Sequence, residues 1–234
     1  TKVDFQAAEE IMTTIVENVF APGFTPEALE VFKNYEKYKK NKELRVVLIE
    51  NTESIPKYIG DKVEPEIKVL QDGSLILATP YLTRIRDEKD FIIAYTQSAD
   101  KGRLECARKP SAAEYQDLLF SWYVNIGVRS NGIVIVKNGV TLAVGTGEQD
   151  RVGALDQAII KAKKKSKLGL SLEGAAVSSD GFFPFRDSID LCAENGIAAI
   201  VQPGGSVRDR EVIEACNEKK IAMVFTDERC FSHH

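Results

Sequence analysis

The sequence has 234 residues, 44% apolar and 28% charged, the proportions of one or two ordinary folded domains rather than a disordered or fibrous chain. Lys and Arg total 31 against 35 Asp and Glu, so the formal net charge is −4, and no general affinity for nucleic acid or an anionic membrane is expected. No apolar run, residues 197–201 included, is long enough to span a bilayer, and residues 1–10 carry acids where an export signal would be basic and then apolar.

Residues 4–20 are predicted as a helix, because Phe5, Ala8, Ile11, Met12, Ile15, Val16 and Val19 recur at 3.6-residue spacing. Ala21-Pro22-Gly23 breaks it, and Thr25-Pro26-Glu27 opens a second helix to about Tyr38, with Thr25 as cap and Pro26 in the first turn. The Lys-rich stretch 33–45 reads as a solvated surface. Residues 44–49 form a strand candidate, and 66–70 with 74–79 form a hairpin about Gln71-Asp72-Gly73. Residues 80–110 read as polar and irregular. The expected organisation is a first subregion over 1–86, a connector over 87–110 and a second subdomain over 111–234.

Ser111 with Glu114 makes a capping box for a helix carrying Leu118, Leu119, Trp122 and Tyr123. Residues 132–136 and 140–144 are strands about Asn138-Gly139, a strong hairpin signal. A helix over 151–165 follows, with a basic run over 161–167 that suits its C-terminal dipole. Strands over 175–178, 197–201 and 221–225 then alternate with helices over 186–195 and 207–219, the first of these ended by Gly196. That alternation predicts an α/β fold with a mixed, partly parallel sheet flanked by helices.

The cysteines, Cys106, Cys192, Cys216 and Cys230, form no CxxC pair, and the two histidines are His233 and His234. No zinc site and no Ser-His-Asp triad are expected, and the thiols read as reduced ones of a cytoplasmic protein.

Ligands of open α/β sheets bind beyond the carboxyl ends of strands. Four segments fall at such places: Ser130-Asn131, the loop 145–151, the loop 178–187 and Gln202-Pro203-Gly204-Gly205-Ser206. The two Gly-rich loops match neither GxGxxG nor a P-loop, so turn chemistry outweighs phosphate binding for them. In 178–187, Phe182, Phe183, Pro184 and Phe185 stand among Asp180, Arg186 and Asp187, which fits either an exposed ligand platform or a plug buried in the core. The tail 226–234 reads as a frayed terminus on composition alone.

The ordered set Ser178–Asp187 as SSDGFFPFRD, Gln202–Ser206 as QPGGS with Arg208-Asp209, Met223-Val224-Phe225-Thr226 and the Arg229-x-Phe231-x-His233 ending resembles the C-terminal end of the AICAR formyltransferase/IMP cyclohydrolase family. Arg108-Lys109-Pro110-Ser111 through Trp122, Val128-Arg129-Ser130-Asn131 and Phe20-Ala21-Pro22-Gly23-Phe24 extend the resemblance over essentially the whole chain. It implies a transformylase fold of cytidine-deaminase-like α/β units without zinc. The implied reaction passes a formyl group from 10-formyltetrahydrofolate, a co-substrate, to the amine of AICAR, giving FAICAR for purine (IMP) biosynthesis. A homodimer is implied, with no nucleic acid or membrane as partner.

By resemblance, Asn131 is the catalytic residue near the reacting amine. Glu17 would hydrogen-bond the aminoimidazole, Arg229 would pair with the nucleotide phosphate, and Arg151 and Phe231 would line the substrate side. Phe182, Pro184 and Phe185 would form the folate platform, with Asp187 reading the pterin. Asp180 and His233 match positions beside a monovalent cation in some members. Two departures stand out: Glu148 and Asp150 replace the family's Gln and Ser in the Gly loop. The family's catalytic Lys-His lies in a K-H-x-S-P-A-G segment upstream of this sequence, so the chain is expected to be the C-terminal part of a transformylase. The alternatives are a non-catalytic nucleotide-binding or dimerisation module of the same fold, and an unrelated nucleotide-binding α/β protein.

Overall fold

In the computed structural model, which describes residues 2–34, 36–165, 169 and 171–231, the chain divides between Lys57 and Tyr58 into two units. The division falls upstream of the connector expected over 87–110.

In the first unit the Asp4 carboxylate accepts from Ala7 N at 2.9 Å and starts helix α1 (Phe5–Thr13). The helix stops well short of Phe20. Thr13, Thr14, Ile15 and Val16 are a β-branched run that favours extended backbone. The buried side chain of Asn41 takes up the freed groups, donating to the carbonyls of Met12 (3.3 Å) and Thr14 (2.8 Å) and accepting from Val16 N (2.9 Å). Strand β1 (Asn18–Ala21) follows, where the period had indicated helix. Helix α2 (Pro26–Lys33) is capped by Thr25 as expected but ends at Asn34, before Tyr38. Strand β2 (Arg45–Leu48) pairs parallel with β1, Asn18 opposite Arg45. Ala8, Met12, Val19, Ala28, Val31 and Phe32 form this unit's core.

The second unit begins with the anticipated hairpin, β3 (Glu66–Val69) antiparallel to β4 (Leu75–Ala78), turning through Gly73 at φ +84°. Residues 80–110 are not irregular throughout. They contain β5 (Ile92–Ile93), β6 (Tyr95–Ser98) and β7 (Gly102–Glu105). β5 is too short to show a period, and only the edge of the main sheet makes it a strand. Helix α3 (Ala112–Ile126) carries the predicted capping box, with Ser111 N donating to Glu114 at 2.7 Å and Glu114 N to Ser111 at 3.3 Å.

Strands β8 (Ile133–Lys137) and β9 (Val140–Gly145) meet at Asn138 and Gly139, both at positive φ, 51° and 72°. Helix α4 (Arg151–Lys164) follows, the end of the expected basic run at residues 166–167 lying outside the described residues. The remainder alternates as predicted: β10 (Ala176–Ser179), α5 (Asp187–Glu194), β11 (Ala199–Gln202), α6 (Asp209–Lys219) and β12 (Ala222–Phe225).

The six-stranded sheet runs β5-β12-β11-β10-β8-β9. β10, β11 and β12 are parallel, whereas β5 runs antiparallel to β12 and β8 to both β10 and β9. Alternate side chains separate the faces. Val177, Ile200 and Met223 join Leu155, Ile159, Ile189, Val212 and Ile213 of α4, α5 and α6. Ala176, Ala199 and Ala222 face Leu118 and Trp122 of α3, and their small side chains bring that helix close. The four cysteines are free and buried, and burial pushes the Cys192 thiol up to about 12.

Gly145 ends β9 beneath α4, where a Cβ would collide with the carbonyl of Ala154. Gly145→Ala should therefore destabilise the second unit by about 1–3 kcal/mol, read from the urea midpoint, and an unchanged midpoint would show that α4 can move off the sheet.

Candidate functional site

Strand polarity gathers the predicted loops. Because β8 runs antiparallel to β10, Ile133 lies opposite Ser179, and because β9 runs antiparallel to β8, Gly145 lies opposite Ile133. Segments 129–132, 146–150, 180–186, 203–208 and 226–231 thus leave one edge of the sheet, the carboxyl edge of its parallel strands.

Asp180 is the hub of that edge and is fully buried. One carboxylate oxygen pairs with Arg151 Nη2 at 3.0 Å. The other accepts from Gly132 N at 2.8 Å and from the Ser130 hydroxyl. The backbone of Asp180 donates to Gly132 O at 3.1 Å and accepts from Cys230 N at 3.2 Å. One residue therefore ties the entry to β8, the first residue of α4 and the tail to the end of β10. With Arg151 on one oxygen and two donors on the other, the Asp180 carboxylate is paired within the fold. His233, its expected companion, lies outside the described residues.

Residues 226–231 of the tail are docked rather than frayed. Glu228 accepts from Thr83 Oγ1, from Arg84 N at 3.2 and 3.1 Å and from Arg84 Nε at 3.3 Å. Thr83 in turn accepts from Trp122 Nε1 at 3.1 Å. Thr226 Oγ1 donates to Glu228 O at 2.7 Å, and Cys230 is buried, its thiol raised by desolvation. These anchors hold Arg229 and Phe231 on either side of Cys230. The Arg229 guanidinium lies over the rings of Phe182 (5.1 Å) and Phe231 (5.6 Å), and that of Arg151 lies over Phe231 (5.4 Å). Arg229 has no carboxylate partner among the described residues. Gly181 makes the stack possible, since a Cβ there would run into Arg151 and come within 2.6 Å of Phe231.

The aromatic loop divides between burial and exposure. Phe183 is the plug, fully buried, with its N–H donating to Gln202 Oε1 at 2.6 Å. Phe182 and Pro184 are half-buried, and Phe185 is exposed with the Arg208 guanidinium 4.7 Å from its ring. Asp187 is exposed in the first turn of α5, where its carboxylate accepts from Ser188 N at 2.7 Å. Asn131 is half-buried and its Nδ2 donates to Glu148 O at 2.9 Å. Glu17 belongs to the first unit, exposed between α1 and β1, with its carbonyl accepting from Arg45 N at 2.9 Å. The cluster around Asp180 is built from the second unit alone.

Each Gly-rich loop turns some of its amides to partners within the fold. Thr146 N donates to Gln157 Oε1 at 3.1 Å, and Gln157 Nε2 donates to the Glu148 carboxylate at 2.6 Å. Asp150 caps α4, accepting from Gly153 N at 2.6 Å. Both unusual acids of this loop thus have structural partners. In the second loop, Gly205 N (2.8 Å) and Ser206 N (3.1 Å) donate to Asp209 Oδ2, while the buried Oδ1 has no partner among the described residues. Sequence reasoning missed Ser130, Gln157 and Gln202 as individual residues. The only available signal was that Ser130 and Gln202 stand next to strand ends.

Two measurements test this division of roles. Asp180→Asn, which strands Arg151, should cost about 3–5 kcal/mol of stability, whereas Arg229→Ala should cost less than about 1 kcal/mol. Equal costs by chemical denaturation would contradict the hub. Burial raises the Asp209 carboxyl above its ordinary range. A folded value above the unfolded value near ~3.9 gives stability that is full below that pH and lost as pH rises through the folded value. Asp209→Asn should therefore gain on the parent protein as pH rises above ~4, and a pH-independent difference would refute the assignment.

Relatives add their own evidence. A profile described as AICARFT/IMPCHase bienzyme matches residues 1–161. The chain is 40% identical over 232 residues to the bifunctional purine biosynthesis protein PurH of Aquifex aeolicus, covering 99% of this chain and 39% of that protein. The proteins of the same name from Persephonella marina and Caldicellulosiruptor bescii are 38% and 37% identical, with the same coverage. The chain therefore spans about 39% of the length of these curated relatives. With more than half of its residues matched by the profile and its whole length aligned at this identity, the chain belongs to the AICARFT/IMPCHase bienzyme family.

Proposed function

We propose that this chain forms part of a formyltransferase site of purine biosynthesis, one that passes the formyl group of 10-formyltetrahydrofolate to the amine of AICAR, giving FAICAR. The observation that carries the reading is the Arg229 guanidinium, held over two rings and left without a carboxylate, at a sheet edge shared with Asn131 and the Arg151–Asp180 pair. The PurH relatives and the AICARFT/IMPCHase profile support it.

In this reading Arg229 binds the AICAR phosphate, to which a planar fork of donors is suited. The rings of Phe182 and Phe231 fix the plane of that fork, and Arg151, held by Asp180, adds positive charge to the same wall. Asn131 offers an amide to the reacting centre, with its orientation fixed by the Glu148 carbonyl. Phe182, Pro184 and Phe185 present a partly exposed apolar face for the flat folate ring, next to Asp187. Glu17 is assigned to the aminoimidazole. Positioning and electrostatic stabilisation of the tetrahedral intermediate are the contributions such groups make. Proton transfer at a weakly basic amine needs a group titrating near neutrality, and the described residues include no histidine. That step is assigned to the family's Lys-His motif, which is absent from this sequence. The working assembly is proposed to contain two copies of the chain.

Arg229→Ala should weaken AICAR binding by about 1.5–3 kcal/mol in titration calorimetry. Formyl transfer from 10-formyltetrahydrofolate should appear when a polypeptide carrying K-H-x-S-P-A-G is supplied with this chain, and not with the chain alone. Unchanged AICAR affinity in the variant would remove Arg229 from the phosphate site. AICAR binding without transfer under either condition would favour the non-catalytic binding module.

A further inference from the structure

Two acids, Asp227 and Glu228, stand directly before Arg229 in the sequence. A carboxylate and a phosphate compete for the same guanidinium fork, so acids this close should spoil an anion site. The fold engages both elsewhere. Asp227 takes a positive φ of 54°, and the turn it makes is closed by Thr226 Oγ1 donating to Glu228 O at 2.7 Å. From that turn the Glu228 side chain reaches Thr83 and Arg84. Glu228 Oε2 accepts from Arg84 Nε at 3.3 Å, while Arg84 Nη2 lies 3.6 Å from Asp227 Oδ2 and donates to the Asp227 carbonyl. The Glu228 side chain is 11% exposed, so solvent screens this pair only in part.

Thr83 completes the hold. Both lone pairs of its hydroxyl are taken, by Trp122 Nε1 and by Ile85 N, each at 3.1 Å, so its proton goes to Glu228. Cys230, on the other side of Arg229, packs in one core cluster with Trp122 and Ile85. Arg229 thus stands between two fixed neighbours, and the charged one is already paired.

We propose that Arg84 is a positioning residue for anion binding at Arg229: it engages the two acids beside that guanidinium and keeps them from pairing with it. Arg84 itself touches no ligand in this arrangement. Without it, Asp227 and Glu228 leave two negative charges beside one positive charge, and Glu228 can turn to Arg229. The inference rests on the reading of Arg229 as the phosphate ligand and adds the residue that keeps it available.

Titration calorimetry with AICAR should show Arg84→Ala binding ~10-fold more weakly than the parent chain, with the loss growing as ionic strength falls. Adding Glu228→Gln should restore the affinity to within ~3-fold of the parent although Arg84 is still missing, since the amide oxygen still takes the Thr83 proton but carries no charge. Glu228→Gln alone should bind AICAR at least as tightly as the parent. Unchanged affinity in Arg84→Ala would overturn the proposal. So would a loss that Glu228→Gln does not restore, which would make Arg84 a ligand or a support of the fold, and so would weakened binding by Glu228→Gln alone. Trp122 is the single tryptophan of the chain and lies one hydrogen bond from Thr83, so its emission should be the same in all three variants. An emission shift in Arg84→Ala that Glu228→Gln does not reverse would overturn the proposal, because the segment and not the charge would have moved. Nitrogen-15 NMR reads the same event without a ligand: in Arg84→Ala the Arg229 Nε–H signal should shift and its exchange with water slow, and both should revert in the double variant. An unmoved signal would overturn the proposal whatever the calorimetry gives. Arg229→Ala with unchanged AICAR affinity would instead remove the phosphate assignment, while the NMR signal still decides whether Arg84 keeps the acids from Arg229.

Discussion

A buried carboxylate must find donors, and that of Asp180 finds them in two stretches of chain, while its backbone carbonyl holds a third. Arg151 comes from the start of α4, Ser130 and Gly132 from the entry to β8, and Cys230 N closes on the Asp180 carbonyl from the tail. Charge burial makes this arrangement close to all-or-none. Removing either member of the ion pair strands the other in a low-dielectric edge, at a cost several times that of an exposed pair. The same pairing sets the position of the Arg151 guanidinium, and with it the place that Phe231 and Arg229 take. Arg229, without a carboxylate partner among the described residues, thus stacks on a ring shared with a paired cation, Arg151.

That contrast explains the electrostatic character of the edge. Gly-rich loops between strands and helices are often read as anion cradles, because their N–H groups point outward. Here amides of the loop after β9 and of the loop after β11 point at Gln157 and Asp209. Glu148 and Asp150, out of place on a phosphate loop, are well placed on a loop that holds itself together. Beside these amides the edge presents side-chain chemistry: the Arg229 fork between two rings, the outward Phe185, and the half-buried Asn131 and Pro184.

The hairpin of β3 and β4 follows the opposite logic to the sheet. In the sheet, every strand from β10 to β12 is buried on both faces, which is what parallel strands with helices on both sides require. In the hairpin the apolar face is the solvent side, and local sequence offers no element to cover it. A fold that obeys burial so closely in its sheet departs from it at two alternate cross-strand pairs, Ile67–Leu77 and Val69–Leu75.

Much of this fold was determined by the sequence itself, because the deciding interactions are local. The Ser111–Glu114 box, the Asn138-Gly139 turn, the Asp72-Gly73 turn and the alternation of apolar runs after residue 130 each act within a few residues. They fixed the α/β class, the β3–β4 and β8–β9 hairpins and the edge to which the site loops come. Residues 18–21 defeated the same reasoning, since a run of apolar residues there satisfies a helical period as well as a strand. The parallel partner β2 and the grip of Asn41, 25 residues from Val16, decided it. β5 became a strand only by lying against β12, and the tail became a wall of the site only because Glu228 reaches Thr83, 145 positions away. The family resemblance named Asp180 and Arg151 separately, but their pairing, and the split of the Phe loop into one buried plug and an exposed rim, came from tertiary packing. Contacts between residues so far apart leave no periodic or neighbouring trace in a single chain, so the sequence could supply the parts of the site, and only the folded sheet could say which of them meet.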